Sequence, residues 1–174
     1  SDLFYPHKNH AFLSGMVNKF QKDFRKEDFK FFITVDEKET PEAREFLTNL
    51  ADNGIEDLIV NLGELDPERV WELYGSATCL FHPSKTETFG NTLTEAMKSG
   101  LPIVAPRLGY AREICKDCAF YYEHDSTDDA YRAIVELCKD YKIRERLRQK
   151  GFHRATDFLD TCQWWKKLCE ICLK

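Results

Sequence analysis

The sequence has no apolar run approaching bilayer length, no excess of basic charge and no even set of cysteines. Without about 20 consecutive apolar residues, no membrane-spanning helix is expected. The 25 Lys and Arg stand against 30 Asp and Glu, a net charge of −5. That balance offers no broad basic face to displace phosphate counterions, which excludes a general nucleic-acid binder. It leaves room for a local basic pocket that holds a small phosphorylated ligand. No signal peptide is visible, and the chain starts at Ser1 without an initiator methionine, which reads as a processed chain or an excised piece. What is present is a 43% apolar, 13% aromatic chain of 174 residues, enough to bury the core of one domain, residues 1–174.

The seven cysteines are odd in number, and a chain of this size has no need of staples, so they read as reduced thiols of a cytosolic protein. Two C-x-x-C pairs, Cys115/Cys118 and Cys169/Cys172, raise four-thiolate zinc. Cys115 and Cys118 flank a turn into the apolar run AFYYEH, and Cys169 and Cys172 share helical spacing with Trp165 and Leu168. Buried small hydrophobes account for all four, and no metal is expected.

Two patterns alternate along the chain. Apolar runs of strand length occur at FKFFITV, IEDLIVNLG, ATCLFHP, LPIVAP and AFYYEH. Between them lie segments of helical period. TPEAREFLTNLADNG opens on Thr40 as cap with Pro41 at the first helical position, and it stops at Asn53-Gly54. DPERVWELYGS repeats the device with Asp66 and Pro67, stopping at Gly75. HAFLSGMVNKFQKDF and NTLTEAMKSG complete the alternation, with Asn9 and His10 expected to cap the former. Nearly continuous apolar strands between helices predict βαβ units, a parallel sheet and helices on both faces. From Ser126 to Lys174 the pattern is wholly helical. The predicted fold is α/β: a Rossmann-like three-layer domain with a helical C-terminal tail over 126–174, and SDLFY as the remainder of a first strand.

In an open α/β sheet, ligands bind at the carboxyl ends of the strands. Lys8 follows the first expected strand and Glu87 follows TCLFHP, so both belong to that edge. Phe89-Gly90-Asn91-Thr92 then opens the helix that carries Glu95. Gly90 allows close approach to the backbone, and the first-turn amides with the helix dipole favour an anion there. Lys8 adds a point charge for the same phosphates. An ionised carboxylate accepts two hydrogen bonds from neighbouring hydroxyls, which suits a vicinal diol. A phosphate cradle flanked by two diol receptors, Glu87 and Glu95, has the shape of a nucleoside-diphosphate-sugar site.

The stretch HPSKTETFGNTLTEAMKSGLPIVAPRLGYAREI resembles the donor-binding region of retaining glycosyltransferases built from two Rossmann-like domains, family four in particular. The elements that carry the resemblance are Pro83-Ser84, Glu87-Phe89-Gly90, Glu95-Ala96-Met97 and Gly100-Pro102-Ala105. PHKN at 6–9 resembles the family's lysine loop, and KGFHRATDFLDTCQWW its closing helices, so the similarity covers nearly the whole chain.

The resemblance implies the C-terminal half of a GT-B fold, and it implies roles. Lys8 would contact the donor diphosphate. Glu87, the residue assigned to the catalytic centre, would hold the donor sugar without having to act as a nucleophile. Phe89, Gly90, Asn91 and Thr92 would bind sugar hydroxyls and phosphate through their backbone, and Glu95 would hold the ribose. No cofactor or metal is implied. The implied partners are a nucleotide-sugar donor, no nucleic acid, and an acceptor-binding N-terminal domain through which the protein would sit at the cytoplasmic face of a membrane.

Two features depart from the family pattern. The arginine usually found shortly before the lysine is replaced by Asp2 and Leu3, with Lys85 and Arg107 as candidate substitutes. The resemblance also implies that the acceptor-binding half is not part of this sequence. His82 is expected in the core, Glu113 in a ligand-edge loop that it orders, and Trp164 and Trp165 packing the tail. The nucleotide base is expected near Leu62 and Gly63. A non-catalytic nucleotide-sugar-binding module and a sugar-nucleotide epimerase of similar build remain as alternatives.

Overall fold

The computed structural model describes residues 5–25, 28–55 and 57–158. A short 3-10 turn, Pro6–Lys8, leads into α1, His10–Asp23. There follow β1 (Phe31–Ile33), α2 (Pro41–Asp52), β2 (Ile59–Asn61), α3 (Pro67–Ser76), β3 (Leu80–Phe81) and α4 (Asn91–Ser99). The chain continues through β4 (Ile103–Pro106), α5 (Gly109–Cys115), β5 (Ala119–Tyr122), α6 (Thr127–Lys139) and α7 (Tyr141–Ala155). Each apolar run read from the sequence contains a strand, shorter than the run itself. The expected first strand and the final helix around Trp164 and Trp165 lie outside the described residues.

The helix starts follow from their caps. Thr40 Oγ1 accepts from Ala43 N at 3.1 Å, and Asp66 Oδ1 accepts from Arg69 N at 2.9 Å, each with proline at the first helical position. Ser126 and Asp140 cap α6 and α7 in the same way. Asn9 does something else. It occupies the cap position of α1 with φ 59°, but its side chain makes no capping bond and instead donates Nδ2 to Pro83 O at 3.3 Å.

All strand pairs are parallel. β1 pairs with β2, Phe31 opposite Ile59, and β3, β4 and β5 form a second ladder with β4 in the middle. β4 is buried along its whole length, and its residues alternate between two cores. Val104 joins a core with Met16, Val17 and Phe20 of α1 and Ile134 and Leu137 of α6. Ile103 and Ala105 join a core with Leu93, Ala96 and Met97 of α4 and Ala111 and Cys115 of α5. That alternation makes the three layers, and α6 and α7 are part of them.

Cys115 and Cys118 are fully buried in the second core, where Cys118 Sγ donates to Cys115 O at 2.7 Å and lies 3.3 Å from Met97 Sδ. They act as small hydrophobes, as expected. Cys169 and Cys172 lie outside the described residues. No helix among the described residues is long and apolar enough to cross a membrane.

One expectation is corrected. The segment around Glu113, read as a loop, is helix α5, and Glu113 is exposed on it. Its carbonyl, not its carboxylate, is used: Arg154 Nη2 donates to it at 3.0 Å. Seven residues make barely two turns, too few for a helical period to show.

Candidate functional site at the opening of α4

The chain after β3 does not wander. Asn9 Nδ2 holds Pro83 O, Lys85 N donates to His7 O at 2.7 Å, and Tyr110 OH of α5 donates to Ser84 O at 2.6 Å. Three bonds from two directions fix residues 83–85, just ahead of Glu87. Their result is a contact across 79 residues of sequence: Lys8 Nζ donates to Glu87 Oε1 at 2.9 Å. Both side chains are nearly buried, at 13% and 9% exposure.

His82, at the end of β3, joins this pair. It is buried as expected, but its Nε2 lies 3.4 Å from the same Oε1 and makes no hydrogen bond. Burial alone would raise the pKa of Glu87. His82, Lys8 and the Ser84 hydroxyl outweigh it and hold the carboxyl at about 2, so it is ionised at neutral pH. Tyr110 is pushed up, first by burial and then by the Glu87 charge. Burial, followed by the neighbouring Lys8 and His7, lowers His10 to about 4.

Gly90 caps α4 with φ +70°. A β-carbon there would sit 2.7 Å from Ile114 Cδ1, so the glycine answers both to its left-handed backbone and to the close approach of α5. Having no side chain, it leaves the first turn of α4 without a side-chain cap, and no acidic residue stands in that turn. Asn91 is exposed and Thr92 half-buried. Phe89 is 56% exposed, with its ring edge-on to Phe158 at 6.1 Å. Glu95, one turn further on, accepts from Tyr74 OH of α3 at 3.4 Å.

The structure therefore brings Lys8 and Glu87 together and sets Gly90, Asn91 and Thr92 at a helix N-terminus. Glu95 stands apart, on the α3 side of the same helix. A cleft of about 930 Å³ has Lys8, His10, His82, Ser84 and Thr92 in its lining, beside apolar groups of β1 and β3. Arg107 is held at the surface by Glu123, 2.7 Å away, and Lys85 is exposed. His82 and Tyr110 were not singled out by sequence reasoning as site residues. The adjacency of His82 to Pro83-Ser84 was the available signal for the first; nothing in the sequence period marked the second.

A family model for glycosyl transferases group 1 matches residues 3–154. The chain is 37% identical over 109 residues to a D-inositol 3-phosphate glycosyltransferase of Acidothermus cellulolyticus, covering 62% of this chain and 24% of that protein. It is 39% identical over 108 residues to a GDP-mannose-dependent alpha-mannosyltransferase of Mycolicibacterium smegmatis, covering 62% and 28%. In fold it is similar to a glycosyltransferase from Rickettsia africae, with TM-score 0.81, 18% identity, 98% of this chain and 45% of that one. Anabaena HepE, solved with UDP and glucose, gives TM-score 0.79 at 18% identity, covering 98% and 46%. The chain spans less than half the length of each of these proteins.

Proposed function

The chain belongs to the group 1 glycosyl transferases, and from that premise we propose that it is the donor-binding half of a retaining, family-four enzyme that moves a sugar from a nucleoside diphosphate to an acceptor. The observation that carries the reading is the Lys8–Glu87 pair, held at the opening of α4 by groups 79 residues apart. A buried cation beside uncapped helix amides is an anion site, and a diphosphate fits it. Glu87, ionised and nearly buried, offers its oxygens to two hydroxyls of the donor sugar. Glu95, one helical turn away, takes the ribose.

The electrostatic work against the diphosphate then falls to Lys8 and the α4 amides, and donor binding needs no divalent ion. Half a cleft orients only the donor. The acceptor is supplied by an N-terminal domain, which also carries any contact with a membrane surface. Thermal-shift screening against UDP-, GDP- and ADP-sugars tests the reading. Stabilisation by one nucleotide series is the expected result, and none with any series at millimolar concentration counts against it.

A further inference from the structure

Lys8 cannot serve a diphosphate and keep Glu87 fully neutralised at the same time. Its ammonium donates to Oε1 at 2.9 Å, and an anion that draws it away leaves a carboxylate at 9% exposure short of its cation. Breaking a buried pair by removing one partner is strongly unfavourable, because the remaining charge stays desolvated. Something must take the vacated oxygen.

The geometry points to His82 as that second partner: we propose that it is a positioning residue whose Nε2–H takes over Oε1 of Glu87 when Lys8 leaves. Nε2 is the buried side-chain polar atom left without a hydrogen bond among the described residues. It already lies 3.4 Å from the oxygen that Lys8 holds at 2.9 Å. A closure of roughly half an ångström completes an ordinary N–H···O bond. The imidazole is confined at the end of β3, with its ring edge-on to Tyr110 at 6.1 Å. Its backbone N–H is fixed to Val104 O at 2.9 Å. The groups that face Glu87 are thus Lys8 from the turn before α1, His82 and Ser84 from the end of β3, and Tyr110 from α5. Of these, His82 already favours the charge on Glu87 from 3.4 Å and has room to draw closer. The consequence is a carboxylate that keeps its place and its charge while its cation changes employment from sugar side to phosphate side.

The proposal rests on the donor-site reading only for what draws Lys8 away, and Lys8→Met removes the ammonium without any ligand. Carbon-13 NMR of the full chain, labelled at the glutamate carboxyls, reads the titration of Glu87. The wild type is expected to titrate near 2, against the ordinary 4.5. With Lys8→Met the midpoint is expected to rise but stay below 4.5, because His82 now holds the oxygen. With Lys8→Met/His82→Phe, which leaves no donor beside the oxygen, it is expected to pass above 4.5, where burial takes it. If Lys8→Met alone carries Glu87 above that value, or if adding His82→Phe changes nothing, the proposal is overturned. Lys8→Gln replaces Lys8→Met if the latter unfolds. A final arm adds uridine diphosphate to the wild type. A rise like that of Lys8→Met supports both readings. A rise with the variant but none with the nucleotide sinks the donor site and leaves the positioning role standing.

Discussion

Lys8 Nζ and Glu87 Oε1 meet at 2.9 Å although 79 residues separate them. The contact is not local chemistry. It exists because Asn9 and His7 grip the main chain of residues 83–85, so that the turn before α1 and the segment before α4 are tied as one unit. That edge of the sheet is thereby ordered by the chain's own contacts.

The depressed Glu87 carboxyl makes stability depend on pH. An acid whose folded value lies below its unfolded value stabilises the fold above the unfolded value, and that contribution fades as pH falls through the folded one. For Glu87 the window runs from 4.5 down to about 2. Urea midpoints of the wild type and Glu87→Gln should differ most at pH 7 and converge across that window. A gap that is unchanged at pH 2.5 contradicts the pairing.

Gly90→Ala should destabilise by about 2 kcal/mol, combining left-handed backbone strain with displacement of Ile114. Shortening the neighbour, in Gly90→Ala/Ile114→Val, should recover part of the loss. Chemical denaturation decides, and a loss of only a few tenths would remove the packing argument.

Tyr110→Phe deletes the donor to Ser84 O and should lower stability by about 0.5–1.5 kcal/mol. Its distinctive effect is local: amide exchange at residues 84–88 should quicken while the amides of β4 stay protected. Uniform quickening across both would mean that the bond serves the fold at large and not this segment.

Much of this was legible in the sequence, and for physical reasons. Strands buried on both faces must be continuously apolar, so LPIVAP announced β4. Thr40-Pro41 and Asp66-Pro67 announced their helices because cap and first-turn chemistry is local. Lys8 and Glu87 were placed on one edge by strand polarity alone. What stayed hidden was three-dimensional. Asn9 was expected to cap α1, but Pro83 O, 74 residues away, claims its side chain. α5 was too short to show a period, so the hydroxyl that Tyr110 brings to the site could not be foreseen. His82 is buried like a core residue, and only its distance to Glu87 separates it from one.

The isolated chain should bind nucleoside diphosphates weakly and without a divalent metal. With half the cleft, affinity should lie near the millimolar range, about 4 kcal/mol. Calorimetry with and without a chelator measures this, and binding that disappears with magnesium removed would contradict it. The same chain should transfer no sugar to an acceptor, since positioning both reactants supplies much of the barrier reduction.

The division of labour between the two glutamates is the most direct test. Wild type, Glu87→Gln and Glu95→Gln are titrated calorimetrically with a nucleoside diphosphate and its matching nucleotide sugar, after circular dichroism confirms folding. Glu95→Gln should weaken both ligands, and Glu87→Gln should weaken the nucleotide sugar while sparing the bare diphosphate. Each loss should be about 1.5–3 kcal/mol, the range for a hydrogen bond to a charged group. Equal losses of both ligands in Glu87→Gln would contradict the assignment of Glu87 to the sugar, and unchanged binding in both variants would remove the donor site from the opening of α4.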